Sequence, residues 1–131
     1  MVAAVRGGPT GSARALYRAA VERRFAVVTS VALSDEYRRV LARPKIIAGH
    51  MTLDEAAGLV DVIDAIAEMV PTVPTYAGTL PDPDDRHVVS LALATRVPIV
   101  TRDVRGFPAE LVETIGIGEA LRSLRLAGLL E

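Results

Sequence analysis

The stretch PDPDDRHVVSLALATRVPIVTRD, residues 81–103, changes its periodicity twice, and those changes point to the fold. Pro81-Asp82-Pro83-Asp84-Asp85 is a turn: its prolines withhold backbone donors, and its aspartates suit the mouth of a helix. Arg86 to about Thr95 predicts that helix. Val97 to Thr101 then predicts a short apolar strand, of the kind buried on both faces of a parallel sheet. Working outward, Phe25 to Thr29 (FAVVT) is a second such strand. Ser30 can cap the helix after it, which carries Val31, Leu33, Tyr37, Val40 and Leu41 before Pro44 stops it. Arg6 to Ser12 is a Gly/Pro loop, and Ser12 caps a helix running to about Arg24. Thr52-Leu53-Asp54-Glu55 is a capping box that opens a long amphipathic helix to about Met69. Val70 to Tyr76, broken by Pro71 and Pro74, is an edge strand or an extended connector. Gly106-Phe107-Pro108 is a loop, and Glu119 to Leu130 is a last amphipathic helix covering the domain's own sheet. Helices alternating with apolar strands predict an α/β domain, a parallel sheet with helices on both faces.

The bulk numbers agree with one such domain, residues 1–131. Half of the residues are apolar and only 4% are aromatic, which suits aliphatic packing and argues against disorder. With no cysteine, disulfides and thiolate zinc sites are excluded. No apolar run approaches the roughly 20 residues of a membrane span, and the first residues lack the order of a signal peptide. A soluble, cytoplasmic protein with no membrane partner is expected. A net charge of −1 excludes general electrostatic attraction to nucleic acid. Fourteen of the 15 cationic side chains are nonetheless arginine, the fork that matches phosphate. They gather as Arg23-Arg24, Arg38-Arg39, Arg43 with Lys45, and Arg102 with Arg105. Solvated surface explains such sets equally well.

In open parallel sheets, chemistry sits beyond the carboxyl ends of the strands, here Ser30 and its neighbours and Thr101 to Asp103. Glu36 lies six residues past Ser30. Asp82, Asp84 and Asp85 sit at the mouth of the later helix, and Asp103 comes 18 residues after Asp85. Converging carboxylates without thiols suit a hard divalent ion, Mg²⁺ or Mn²⁺, which promotes phosphodiester hydrolysis. Simpler roles stay open: the aspartates as helix caps, Glu36 paired with Arg39, Asp103 as a turn residue. His87, at i+2 from Asp85, points to a different face, where it is a surface or RNA-contacting residue. His50 has no evident partner. Tyr37 and Tyr76 are packing residues before they are stacking platforms. GGPTGS lacks the lysine and spacing of a phosphate loop.

Residues 81–103 resemble the signature half of PIN domains, in particular those of toxin components of toxin-antitoxin pairs. The run VVTSVALSDEYRRVLARPKI, residues 27–46, is similar to the second-strand and second-helix segment of the same group. The resemblance reaches about Pro108 and implies a three-layer α/β fold and a metal-dependent endoribonuclease. It matches Glu36 in SDEYRRVL, Asp85 in DPDDRH and Asp103 in VTRD to the family's catalytic, Mg²⁺- or Mn²⁺-binding acids. Asp84 is a further candidate ligand and Asp82 a weaker one. Thr101, Arg102, Arg86 and Ser30 are the residues assigned to the substrate. RNA, a cognate antitoxin protein and a second copy of the chain are the implied partners. The alternative is a catalytically inactive PIN-like module that binds RNA or an antitoxin.

Two departures qualify the resemblance. PIN domains begin with a strand ending in a metal-binding aspartate, and MVAAVRGGPTG resembles the segment just after that acid. Either Met1 is an internal methionine of a longer reading frame, or the gene is decayed or repurposed. Retention of Glu36, Asp85 and Asp103 favours the first, in which an in-frame Asp-Thr-Asn-like segment lies upstream. A first strand largely missing implies unpaired edges, a less stable, dimerising or aggregation-prone protein, and a nuclease activity weakened by loss of the first aspartate. Some relatives also carry an acid where Gly106 stands.

Overall fold

The computed structural model describes residues 11–41, 53–101 and 104–129. The chain runs through α1 (Gly11–Val21), β1 (Val28–Thr29), α2 (Val31–Leu41), α3 (Leu53–Ile66) and β2 (Glu68–Met69). A 3-10 turn at Pro83–Asp85 leads into α4 (Arg86–Thr95), with β3 (Ile99–Val100) and a second 3-10 turn at Val104–Gly106 after it. β4 (Thr114–Ile115) and α5 (Ile117–Leu126) complete it. No described helix is long and apolar enough to cross a membrane.

Among the described residues all strand pairing is parallel, as the alternation of helix and strand predicts. β1 pairs with β2 in the register Val28↔Glu68 and Thr29↔Met69. The Glu68 N–H donates to the Val27 carbonyl at 2.8 Å and the Val70 N–H to that of Thr29 at 2.9 Å. β3 pairs with β4, Ile99↔Thr114 and Val100↔Ile115. Among the described residues these are two separate two-stranded ladders rather than one sheet. An apolar cleft of about 240 Å³ lies between them, lined by Val28 of β1, Val100 of β3, Leu16 of α1 and Leu124 of α5.

Several boundaries differ from the sequence expectation. α3 stops at Ile66 rather than near Met69, because Glu68 and Met69 leave the helical pattern to pair with β1. β4 was not expected at all; its two residues carry little signal without β3 beside them. The FAVVT strand narrows to its last two residues, and Val97–Thr101 to Ile99–Val100. Ser12 lies inside the described span of α1 rather than at its cap, and α5 begins at Ile117, ahead of Glu119. Thr52 of the capping box, Pro44, His50 and residues 6–10 of the Gly/Pro loop lie outside the described residues.

The core forms where the helical stripes meet. Leu33 and Tyr37 from α2, Val60 and Ile63 from α3, and Val89 and Leu91 from α4 make the main cluster, joined by Ile99 and Phe107. A second cluster joins Leu16 of α1 to Ile117, Ala120 and Leu121 of α5, with Val100 and Ile115 packed against it. The last helix therefore covers the β3–β4 ladder and α1 together.

Two arginines close helices in the left-handed conformation. Arg23 (φ 58°) ends α1 with the Arg24 N–H on the Ala19 carbonyl at 2.9 Å and its own N–H on Ala20 at 3.0 Å, a Schellman closure. Arg96 (φ 58°) ends α4 with its N–H on Ala92 at 2.7 Å. A side chain in this region costs about 1–2 kcal/mol, of which glycine's freedom in the unfolded chain takes back roughly half. Arg96→Gly is expected to stabilise the protein by about 0.5 kcal/mol, read as a higher urea midpoint. An unchanged or lower midpoint would show that the Arg96 side chain contributes contacts of its own.

Candidate functional site

Ser30 is the hinge between strand and site. Its hydroxyl accepts the Leu33 N–H at 3.2 Å and its carbonyl accepts the Ser34 N–H at 2.9 Å, so it caps α2 as the sequence suggests. Because α2 begins where β1 ends, Asp35 and Glu36 are carried past the carboxyl end of that strand. The short connection from Thr95 to Ile99 makes α4 run back against β3. The start of α4, with Asp85, therefore lies toward the end of β3 that Thr101 follows. α2 and α4 also pack on one another.

The three aspartates of the turn prove unequal. The Asp82 side chain accepts the Asp84 N–H at 2.9 Å and caps the 3-10 turn. Both Asp82 and Asp84 are exposed. Asp85 stands at the N-cap position of α4 yet makes no capping hydrogen bond with its side chain, and it is only 6% exposed. Helix capping thus accounts for Asp82 and does not account for the burial of Asp85. Glu36 is half-buried on α2, and Thr101 is half-buried after β3. No ion pair joins Glu36 to Arg39 among the described residues. Asp103 and Arg102 lie outside the described residues. Among those that are described, no three His, Asp or Glu side chains gather closely enough to hold a metal ion. Glu36 and Asp85 are oxygen donors in a chain without thiols, the chemistry a hard divalent ion takes.

The arginines divide sharply between structure and surface. Arg86, which the resemblance assigns to the substrate, donates from Nη1 to the carbonyl of Tyr76 and to that of Gly78 at 2.9 Å. Its neighbour Ser90 accepts the Tyr76 N–H at 2.9 Å and donates to the Arg86 carbonyl at 2.7 Å. Together they brace the connector against α4, a role no local pattern announces. Arg38 donates to Asp61 at 2.7 Å and Asp64 at 3.0 Å, and the Ser34 hydroxyl also donates to Asp64 at 2.7 Å. Those hydrogen bonds, Asp61's first and then Asp64's, hold the Arg38 guanidinium pKa above its ordinary value. Arg39, its exposed neighbour, makes no ion pair among the described residues.

A cleft of about 370 Å³ opens at the carboxyl ends of β1 and β2. Ser30, Asp35, Thr75 and His87 line it, with Val31, Val70, Pro71 and Val73 as apolar walls. It continues into a shallower concavity that shares Asp35 and His87 and adds Arg39. Asp85 is buried while His87 lines this cleft, so the two do sit on different faces of the helix start. Asp35 lines the cleft, whereas the sequence singles out its neighbour Glu36. The position of Asp35 matters only because residues 70–75 fold across from it.

The fold is α/β, with short parallel ladders flanked by helices. Residues 1–105 match the family model of the PIN domain, and the chain belongs to that family. No curated protein and no solved structure matches it significantly. PIN domains are generally nuclease-like and typically use divalent metals.

Proposed function

We propose that the chain is a Mg²⁺- or Mn²⁺-dependent endoribonuclease of the toxin type, with Glu36, Asp85 and Asp103 as its metal-binding acids. The observation that carries this reading is Asp85, a buried carboxylate at a helix start that does no capping. When bound, a divalent ion supplies charge neutralisation at the phosphate and acidifies the attacking water. The protein's own part is to hold carboxylates in a partly dry setting, where their attraction for a cation is little screened. Thr101, at the end of β3, stands where a hydroxyl can orient the scissile phosphate, and Arg39 and Arg102 steady the RNA backbone. Asp84, exposed beside the site, is a reserve ligand at most. The setting is the cytoplasm, with a cognate antitoxin protein as the inhibitory partner and a homodimer as the working form.

Removing the metal tests this directly. With single-stranded RNA and millimolar Mn²⁺, cleavage is expected; excess EDTA should bring it to background, and added Mn²⁺ should restore it. RNA that binds but is never cut would sink the enzymatic reading in favour of a non-catalytic module for RNA or an antitoxin.

A further inference from the structure

We propose that the cleft beside the acidic end is a base pocket that takes one unpaired nucleotide of the RNA and selects guanine through Asp35. The inference rests on the nucleic-acid reading above and goes beyond it by naming what the site distinguishes. At about 370 Å³ the cleft is at the small end of ligand pockets, roughly 300–1,000 Å³, so it suits one nucleoside and not a duplex. Val70 and Pro71 offer apolar surface to the faces of a base, while Asp35 and His87 supply polarity at its edge. Proteins read RNA sequence mostly in this way, by splaying a base out of a single strand and bonding its Watson–Crick edge.

The choice of base comes from Asp35. An ionised carboxylate is acceptor-only, with two adjacent oxygens. Guanine presents two adjacent donors, N1–H and its 2-amino group, which pair with both oxygens at once. Uracil presents a single N–H between two carbonyls, each of which a carboxylate repels. Asp35 is exposed on α2 and shared between the cleft and the outer concavity, so a base reaches it without distorting the helix. Arg39 in the same concavity offsets the carboxylate's repulsion of the backbone and offers a fork to the phosphate. Successive helical residues point about 100° apart. Asp35 can therefore face the cleft while Glu36, beside it on α2 and half-buried, points in another direction.

The test measures binding in EDTA, so that it does not depend on cleavage. Fluorescein-labelled hexauridylate and the same hexamer with one guanine at its third position are titrated with the full chain and read by anisotropy. The guanine-bearing hexamer is expected to bind about tenfold tighter, within the range of one bidentate base contact. Asp35→Asn should bring the two within about twofold, with hexauridylate bound as well as before or better. Asp35→Glu should keep part of the preference. Equal binding of both RNAs by the unaltered protein overturns the proposal, as does a preference that survives Asp35→Asn. A guanine preference without any Mn²⁺-dependent cleavage would remove the nuclease reading and leave the base pocket standing; cleavage without the preference would do the reverse.

Discussion

Asp85→Asn is expected to lower Mn²⁺-dependent RNA cleavage by at least about a hundredfold, the size of effect seen when one fixed charge-stabilising group is lost. Asp82→Asn, three residues earlier, should leave the rate within a few-fold. The contrast lies in their surroundings. Asp82 is exposed and caps the Asp84 N–H, a task asparagine performs equally well. Asp85 is buried and caps nothing with its side chain. The melting temperature of each variant is measured beside its activity. Lost activity with unchanged melting identifies a functional carboxylate. Lost activity with a large fall in melting temperature would mean that Asp85 is structural, and equal effects at Asp82 and Asp85 would also overturn the assignment.

The second large effect is on stability. Leu33 is 2% exposed in the first turn of α2 and packs into the main cluster with Val60 and Val89, both at 0%. Leu33→Ala removes those contacts and leaves a cavity, which costs about 2–5 kcal/mol. That is a large share of the roughly 5–15 kcal/mol that holds a domain together. Val31, two residues earlier and 60% exposed, is the control: Val31→Ala should change stability by less than about 0.5 kcal/mol. Urea denaturation of both variants reads the difference. A cost below about 1 kcal/mol for Leu33→Ala would mean that the cluster does not pin the start of α2, the helix that carries Asp35 and Glu36.

The features legible in the sequence are those the chain encodes locally. Ser30 before an apolar stripe is a cap whatever packs on it, and Pro81 to Asp85 is a turn into a helix because prolines fix the backbone by themselves. Features made by distant partners were not legible. Glu68 and Met69 look like the tail of α3, since their strand character comes from β1, some forty residues earlier. Thr114 and Ile115 form a strand only against β3. At the site, spacing and family resemblance singled out Asp85 among three aspartates, but the cap made by Asp82 and the burial of Asp85 are facts of packing. Arg38 and Arg39 are adjacent and identical in sequence, yet among the described residues only Arg38 makes an ion pair, because α3 brings Asp61 and Asp64 to it. Arg86 likewise became a brace because the connector carrying Tyr76 and Gly78 crosses over it. The cleft that exposes Asp35 to a ligand needs the same connector.

The seam between α1 and α5 sets the order in which the protein can be completed as it is made. Leu16 finds its partners Ile117, Ala120 and Leu121 only after about a hundred more residues have been synthesised, some 5–20 s at ordinary elongation rates of about 5–20 residues per second. Throughout that interval the apolar stripe of α1 has emerged and its cover has not been translated. The growing chain therefore carries a sticky helix until the codons for α5 have been read. A ribosome stalled shortly before Ile117 would hold a domain whose main cluster can close while its second cluster stays open, a natural substrate for a chaperone that grips short apolar helices.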